Sequence, residues 1–162
     1  MPFFAGALGN FIGGFAGDFI VTRIGVKWGR RAVGSVGMGA SAAFTLAAAL
    51  SANRVAAIIF LALGAGAADF LLPTCWATCL DIARKYTASV TATMNAAGQL
   101  GSFVSGVLFG YAVTAWHSYD LPLLPMAAIS VCGAVVWLKI DATEELIPEK
   151  SAPTTASMAA KS

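Results

Sequence analysis

Charged residues are scarce in this chain, since Asp, Glu, Lys and Arg together make up 11% of its 162 residues. Soluble globular domains carry about 25% charged residues. Here 58% of the residues are hydrophobic and the mean hydropathy is +0.77, which is more apolar surface than one soluble core can bury. The net charge of +2 is small and scattered over loops, unlike a nucleic-acid-binding face. The composition therefore indicates a protein whose partner is the lipid bilayer and excludes a role with nucleic acid.

Histidine and cysteine, the residues of many catalytic and metal sites, are also few. His117 is the single histidine, which excludes paired haem ligands, histidine metal clusters and a histidine-assisted nucleophile. Cys75, Cys79 and Cys132 lie in apolar segments without the spacing of a disulfide framework. The sequence also has no glycine-rich phosphate loop with its Lys and Ser or Thr. We therefore expect no enzyme activity, no metal and no cofactor.

Long apolar runs are what the sequence has in abundance. A helix needs about 20 apolar residues to cross a bilayer, and five runs are near that length: residues 2–22, 32–51, 55–80, 87–114 and 122–140. They predict an all-α membrane protein whose bundle covers residues 1–141. Beyond it Glu, Pro, Ser, Thr and Lys replace apolar residues, so residues 142–162 are expected to form a disordered cytoplasmic tail. Replacing Asp141, at this junction, is expected to have little effect on transport.

The Lys and Arg residues divide unequally between the two sides of the predicted bundle. If the first loop is cytoplasmic, nine of the ten lie on that side: Arg23, Lys27, Arg30, Arg31, Arg84, Lys85, Lys139, Lys150 and Lys161. Arg54 alone lies on the other side. Because cytoplasmic loops of membrane proteins carry an excess of basic residues, the asymmetry predicts an outer N-terminus and a cytoplasmic C-terminus, in a membrane of the bacterial inner-membrane type.

Small residues recur every four positions on two of the predicted spans. They are Gly9, Gly13 and Gly17 on the first span, and Gly98, Ser102, Gly106 and Gly110 on the fourth. Such ridges let two helix backbones approach closely. They predict two close helix crossings, which either pack statically or slide during a transport cycle. Pro73 further predicts a bend in the third span.

Polar side chains inside membrane spans indicate function. Asp69 lies about 21 Å along the third span at 1.5 Å per residue, past the middle of the membrane. It either forms a structural hydrogen bond to a neighbouring helix or contacts a coupling ion, a proton or the substrate. Thr91, Asn95 and Gln99 form a polar stripe on the fourth span, and Asn10 lies near the middle of the first. The first, third and fourth spans are therefore predicted to line a cavity.

Two sets of residues resemble signatures of known transporters. The first set resembles the loop signature of the major facilitator superfamily, in its second-half copy between helices eight and nine. It consists of Gly13-Gly14-x3-Asp18 with Arg23, Gly29, Arg30 and Arg31. The second set resembles helices ten and eleven of the anion:cation symporter family. It consists of Pro73-Thr74-x-Trp76-x4-Asp81, Tyr86, Val90, Met94-Asn95, Gly98, Leu100-Gly101 and Phe109-Gly110-Tyr111. The resemblance implies five transmembrane helices, eight to twelve, of an incomplete second six-helix bundle.

The resemblance also implies a function. Such transporters move a small organic anion, such as a sugar acid or an aromatic or dicarboxylic acid, usually with a proton, through a cavity between two bundles. It implies an inner-gate charge latch made of Asp18, Arg23, Arg30, Arg31 and Asp81. It implies a substrate or proton cavity lined by Asn10, Asp69, Trp76, Asn95 and Gln99. Without its N-terminal bundle the chain alone is expected to be inactive, and a non-transporting membrane subunit that packs against a partner chain is the alternative.

Overall fold

The computed structural model describes residues 2–144, and the regular structure within that range is entirely helical. The helices are α1 (Pro2–Ile24), α2 (Val26–Ala49), α3 (Arg54–Ala83), α4 (Thr87–Trp116) and α5 (Leu123–Trp137), with a 3-10 turn (Arg84–Tyr86) between α3 and α4. The predicted all-α class is confirmed. Most of the segment expected to form a tail lies outside the described residues, so its disorder stays a prediction.

Only one residue, Gly25, separates α1 from α2. Its φ of 84° lies in the region that favours glycine, because a side chain there would be strained. Lys27, Arg30 and Arg31, which the sequence analysis placed in a loop, instead project from the first two turns of α2. Helical spacing puts Lys27 and Arg31 one turn apart on the same side. We call this end of the bundle the basic end.

Three stretches of the described residues are long and apolar enough to cross a membrane: Phe3–Ile24, Val26–Ala49 and Arg54–Trp116. The third has 63 residues and would be about 95 Å long if straight, three times the hydrocarbon thickness of about 30 Å. It is not straight, because the sulfur atoms of Cys79 and Met94 lie 3.4 Å apart. The chain therefore reverses at the 3-10 turn. The apolar helix α5 is shorter, with 15 residues.

Helix α3 lies at the centre of the packed bundle. It contacts α1 and α2 along much of its length, and α2 in turn packs against α5. Helix α4 contacts only α3 and the 3-10 turn among the described elements, and none of its residues is buried. Many large apolar side chains point outward, as with Phe103 and Ile129, each 70% exposed. Such surfaces suit contact with lipid or with further helices.

Candidate functional site

Helices α1 and α3 touch backbone to backbone in a register set by glycine. A Cβ atom added to a glycine of the α1 stripe would strike α3 at the backbone or at a side-chain oxygen. The pairs in contact are Gly9 with Gly66, Gly13 with Phe70 and Gly17 with Thr74. Because steps of four residues along α1 match steps of four along α3 in the same direction, the two helices run parallel. The first predicted close crossing is confirmed.

The second glycine stripe, on α4, does not form a close crossing within residues 2–144. A Cβ atom at Gly98, Gly106 or Gly110 would have no neighbour within 4 Å. A cavity of about 760 Å³ separates this face of α4 from Leu61 on α3 and Leu123 on α5. The stripe is therefore an open surface here, because no described helix is close enough to fill it.

The carboxylate of Asp69 is held in the interface between α1 and α3. Its Oδ2 atom lies against Gly6, where a Cβ atom would collide with it. Asn10, one helical turn further along α1, is half-buried like Asp69. Within residues 2–144 no cation pairs with Asp69 and no group donates a hydrogen bond to its carboxylate. An acid without a cation partner inside a membrane span is unusual, so Asp69 stays a candidate functional residue.

A second feature lies between the same two helices nearer the basic end. This cavity of about 330 Å³, which we call the α1–α3 cavity, is lined by Gly13, Gly14, Gly17, Asp18, Arg30, Pro73, Thr74, Trp76, Ala77 and Leu80. Glycine on α1 leaves the room that the cavity occupies. Asp18, Arg30 and Trp76 were predicted in two separate groups, and the structure brings them to one cavity.

Thr74 is the residue of this cavity that the sequence analysis missed as a site. Its side chain is almost fully buried, with 1% of its surface exposed, and its hydroxyl oxygen has no hydrogen-bond partner among the described residues. Its backbone carbonyl accepts a hydrogen bond of 2.7 Å from the Thr78 hydroxyl. In the sequence, Thr74 follows Pro73 within the motif that resembles the family. That motif indicated the family but gave no sign that the Thr74 hydroxyl is unpaired.

Of the predicted latch, one ion pair forms, and it is partly buried. The Arg30 Nε atom donates to Asp81 Oδ2 at 3.0 Å and Arg30 is 8% exposed, so the start of α2 is tied to the end of α3. Asp18 is exposed and pairs with no cation of the described residues. The Arg23 guanidinium lies 5.1 Å from the centre of the Phe19 ring on its own helix. The five residues do not form one cluster here, and a gating role for Asp18 stays a prediction.

Asp141 ties the end of α5 to α2. Its carboxylate pairs with Lys27 and lies 4.0 Å from the Arg31 guanidinium, whose Nε donates to the Ile140 carbonyl at 2.6 Å. The Thr143 backbone N–H and hydroxyl also donate to Asp141. The hydrogen bond from Lys27, followed by those from Thr143, lowers the pKa of Asp141 below its ordinary range. The expectation that Asp141 matters little for transport stays a prediction. The ion pair forms because α2 begins early enough to present Lys27 and Arg31 to Asp141.

We expect Asp141→Asn to lower the melting temperature of the detergent-solubilised chain, because the amide cannot pair with Lys27. Asp120→Asn, in an exposed turn, is the matched control and should change little. A depressed carboxyl pKa adds stability above about pH 4, which is lost as the pH falls further. The gap between wild type and Asp141→Asn should therefore narrow on acidification, as thermal-shift fluorescence would record. Equal melting temperatures for both variants at neutral pH would contradict this assignment.

The five residues predicted to line one cavity lie at separate places among residues 2–144. Asp69 lies in the interface of α1 and α3, Asn10 lies half-buried on α1, and Trp76 lines the α1–α3 cavity. Asn95 and Gln99 lie on α4, exposed and without a side-chain hydrogen bond to another of residues 2–144. A single cavity lined by all five is not formed by these helices alone, because the polar stripe of α4 faces open space.

These features are apolar helices of membrane-spanning length, a half-buried acid between two of them and one basic end. They define a helical membrane protein of the transporter class. The chain belongs to the Major Facilitator Superfamily, whose sequence model matches residues 1–161. Its relatives in that family are transporters rather than enzymes.

Three relatives show how far the similarity extends. The chain is 34% identical over 142 residues to the "Probable sulfoacetate transporter SauU" of Cupriavidus necator, covering 87% of this chain and 33% of that protein. It is 26% identical over 145 residues to the "Probable L-galactonate transporter" of Escherichia coli, covering 85% and 31%. It is 29% identical over 97 residues to the "Probable anion transporter 5, chloroplastic" of Oryza sativa, covering 59% and 21%. The chain thus spans a third of the length of these relatives, or less.

Proposed function

We propose that this chain supplies the second-half helices of a secondary active transporter that moves a small organic anion by alternating access. The observation that carries the proposal is the identity of 34% over 87% of the chain with the probable sulfoacetate transporter. The second and third relatives are described as galactonate and anion transporters. A small acid with one or two anionic groups is the substrate class common to these descriptions.

Among residues 2–144, no basic residue lies near the middle of a membrane-spanning helix, where it could face the substrate. The basic residues lie in the first turns of α2, at helix ends, in the 3-10 turn or beyond α5. We propose that the cation facing the substrate comes from the other two thirds of the transporter. We also propose that transport is coupled to a proton bound at Asp69, so this chain would contribute that site and the helix faces that move against the other half. Alone it would be inactive.

A chimera tests the function. This chain replaces the matching third of the Cupriavidus necator protein, and uptake of labelled sulfoacetate and galactonate is measured in cells that lack both uptake activities. We expect uptake of at least one of the two, while a control protein lacking the matched third should show none. A chimera that reaches the membrane without transporting either acid would contradict the proposal. Stable association of the chain with another helical protein, without uptake, would favour the non-transporting subunit.

We propose a bacterial-type inner-membrane location with an outer N-terminus and a cytoplasmic C-terminus, supported by the distribution of Lys and Arg. Trp28 at the basic end is 60% exposed and Tyr119 at the other end is 74% exposed. With the native cysteines replaced, an impermeant thiol reagent should label Tyr119→Cys in intact cells. It should label Trp28→Cys only after the cells are permeabilised. The opposite pattern would overturn the orientation.

A further inference from the structure

We propose that Cys75, Cys79 and Met94 form a binding site for one soft monovalent metal ion, Cu(I) or Ag(I), between α3 and α4. The inference is independent of the proposed transport. It is carried by a contact between sulfur atoms of two helices, since the Cys79 thiol and the Met94 thioether lie 3.4 Å apart in a partly buried position. Both cysteines are free thiols, so each helix brings an unmodified sulfur ligand to the contact.

The two sulfur atoms lie within reach of a single ion. A metal–sulfur bond is about 2.3 Å long, so one ion can bind two sulfur atoms that are up to about 4.6 Å apart. The distance of 3.4 Å between Cys79 Sγ and Met94 Sδ is inside that limit. An ion bound to both atoms would therefore link α3 to α4 with little change in the spacing of the helices.

Cys75 supplies the third sulfur atom. It lies four residues before Cys79 on α3, a spacing that puts two side chains on the same face of a helix, one turn apart. Because α4 runs back along α3, the next turn of α4 after Met94 lies on the side of Cys75. Gly98 is at that position, and a Cβ atom there would meet no atom within 4 Å. Cys75 is half-buried, and no side chain at position 98 competes with an ion for the space beside it.

The kind of ligand decides which ion fits. Thiolate and thioether sulfur atoms are soft ligands that select Cu(I), whereas Mg²⁺ and Ca²⁺ take oxygen ligands. Among residues 2–144, no group of three or more His, Cys, Asp or Glu side chains could hold a metal ion. The expectation of no metal was drawn from histidine and cysteine alone, and it did not consider a thioether. Ag(I) has the same charge as Cu(I) and the same preference for sulfur.

The charge of the bound site suits its apolar surroundings. One thiol gives up its proton to solvent and forms the metal bond as a thiolate. The thiolate and the monovalent ion together carry no net charge, and an uncompensated charge in a membrane span would be costly. A divalent ion on the same three ligands would keep a positive charge unless both thiols lost their protons.

The site lies near the basic end of the bundle. Cys79 is about 6 Å along the helix axis from Ala83, the last residue of α3. The basic end is the proposed cytoplasmic side, and thiols stay reduced in the cytoplasm. A soft ion can therefore meet unoxidised cysteines there.

Titration of the detergent-solubilised chain with Ag⁺ tests the site. Cys132→Ser first removes the exposed thiol of α5, and native mass spectrometry should then show one Ag⁺ for each chain. Met94→Leu keeps an apolar side chain of similar size but removes the thioether. We expect it to weaken binding by about tenfold or more, since residues that only support a metal ligand contribute that much. Cys75→Ser and Cys79→Ser should also weaken binding, whereas Met126→Leu on α5 is the matched control and should not.

Equal Ag⁺ affinity of Met94→Leu and Met126→Leu would overturn the site, because the contact between Cys79 and Met94 would then be apolar packing alone. X-ray absorption at the silver edge gives a second readout that needs no substitution at the site. With one equivalent of Ag⁺ bound to the Cys132→Ser chain, the spectrum should show three sulfur neighbours. A spectrum with two sulfur neighbours or fewer would overturn the three-sulfur site.

Discussion

Asp69→Asn should abolish accumulation of the organic anion driven by a pH gradient while exchange of internal for external anion continues. The amide has nearly the shape of the carboxyl group but cannot bind and release a proton. Exchange needs no net proton movement and so does not need a titrating group at this position. Both rates can be measured with labelled sulfoacetate in proteoliposomes that contain the chimera. Driven accumulation should fall to the background of empty liposomes.

Asp120→Asn, an acid in an exposed turn, is the control for Asp69→Asn and should retain both activities. If Asp69→Asn keeps the wild-type pH dependence, Asp69 is a structural residue between α1 and α3. The proton site would then belong to the part of the transporter that this chain does not include. Loss of both activities together would also argue against a proton-specific role.

Gly13→Val should prevent the normal packing of α1 on α3. A Cβ atom at Gly13 would strike the Phe70 backbone carbonyl, and a backbone carbonyl cannot move aside as the end of a flexible side chain can. Overpacking of a well-packed interface costs about 1–3 kcal/mol, and the two further methyl groups of valine add to the clash. We expect a large drop in the melting temperature of the solubilised chain.

Gly106→Val is the matched control on the other stripe, where the added atoms would meet open space among the described residues. It should leave the melting temperature of the isolated chain nearly unchanged. In the chimera, by contrast, Gly106→Val tests whether a helix of the other two thirds covers α4. Equal destabilisation of the isolated chain by both variants would contradict the register described for α1 and α3.

The helical fold and the α1 contact could be predicted from sequence because both depend on local patterns. Runs of apolar residues give the helices, and glycine at every fourth position gives a smooth ridge. The identical pattern on α4 predicted a contact that the described helices do not make. A ridge specifies a surface that can be approached closely, but it does not say which helix approaches.

The basic segment was misjudged for a different reason. Positive charges were taken as the sign of a loop, whereas a single glycine with positive φ makes the turn and the charges extend from a helix. Because α2 begins a few residues earlier than predicted, Lys27 and Arg31 extend from the helix beside Asp141 and pair with its carboxylate. Pairings between residues more than 100 positions apart follow from the packing of whole helices.

Thr74 shows the same limit at the candidate site. Threonine is common in membrane helices, where its hydroxyl bonds to a carbonyl of the preceding turn, as Thr78 does. Sequence alone does not separate such a residue from one whose hydroxyl is buried without a partner. The distinction depends on how the Thr74 side chain packs against Gly17 of α1.

Recording proton movement during uptake is the most direct test of whether these helices take part in proton-coupled transport of an organic anion. Liposomes containing the chimera and a trapped pH-sensitive dye are given sulfoacetate or galactonate without an imposed pH gradient. We expect acidification of the interior on addition of a transported acid, absent with a neutral sugar and absent in Asp69→Asn. Uptake of the labelled acid with no change in internal pH would rule out the proposed coupling.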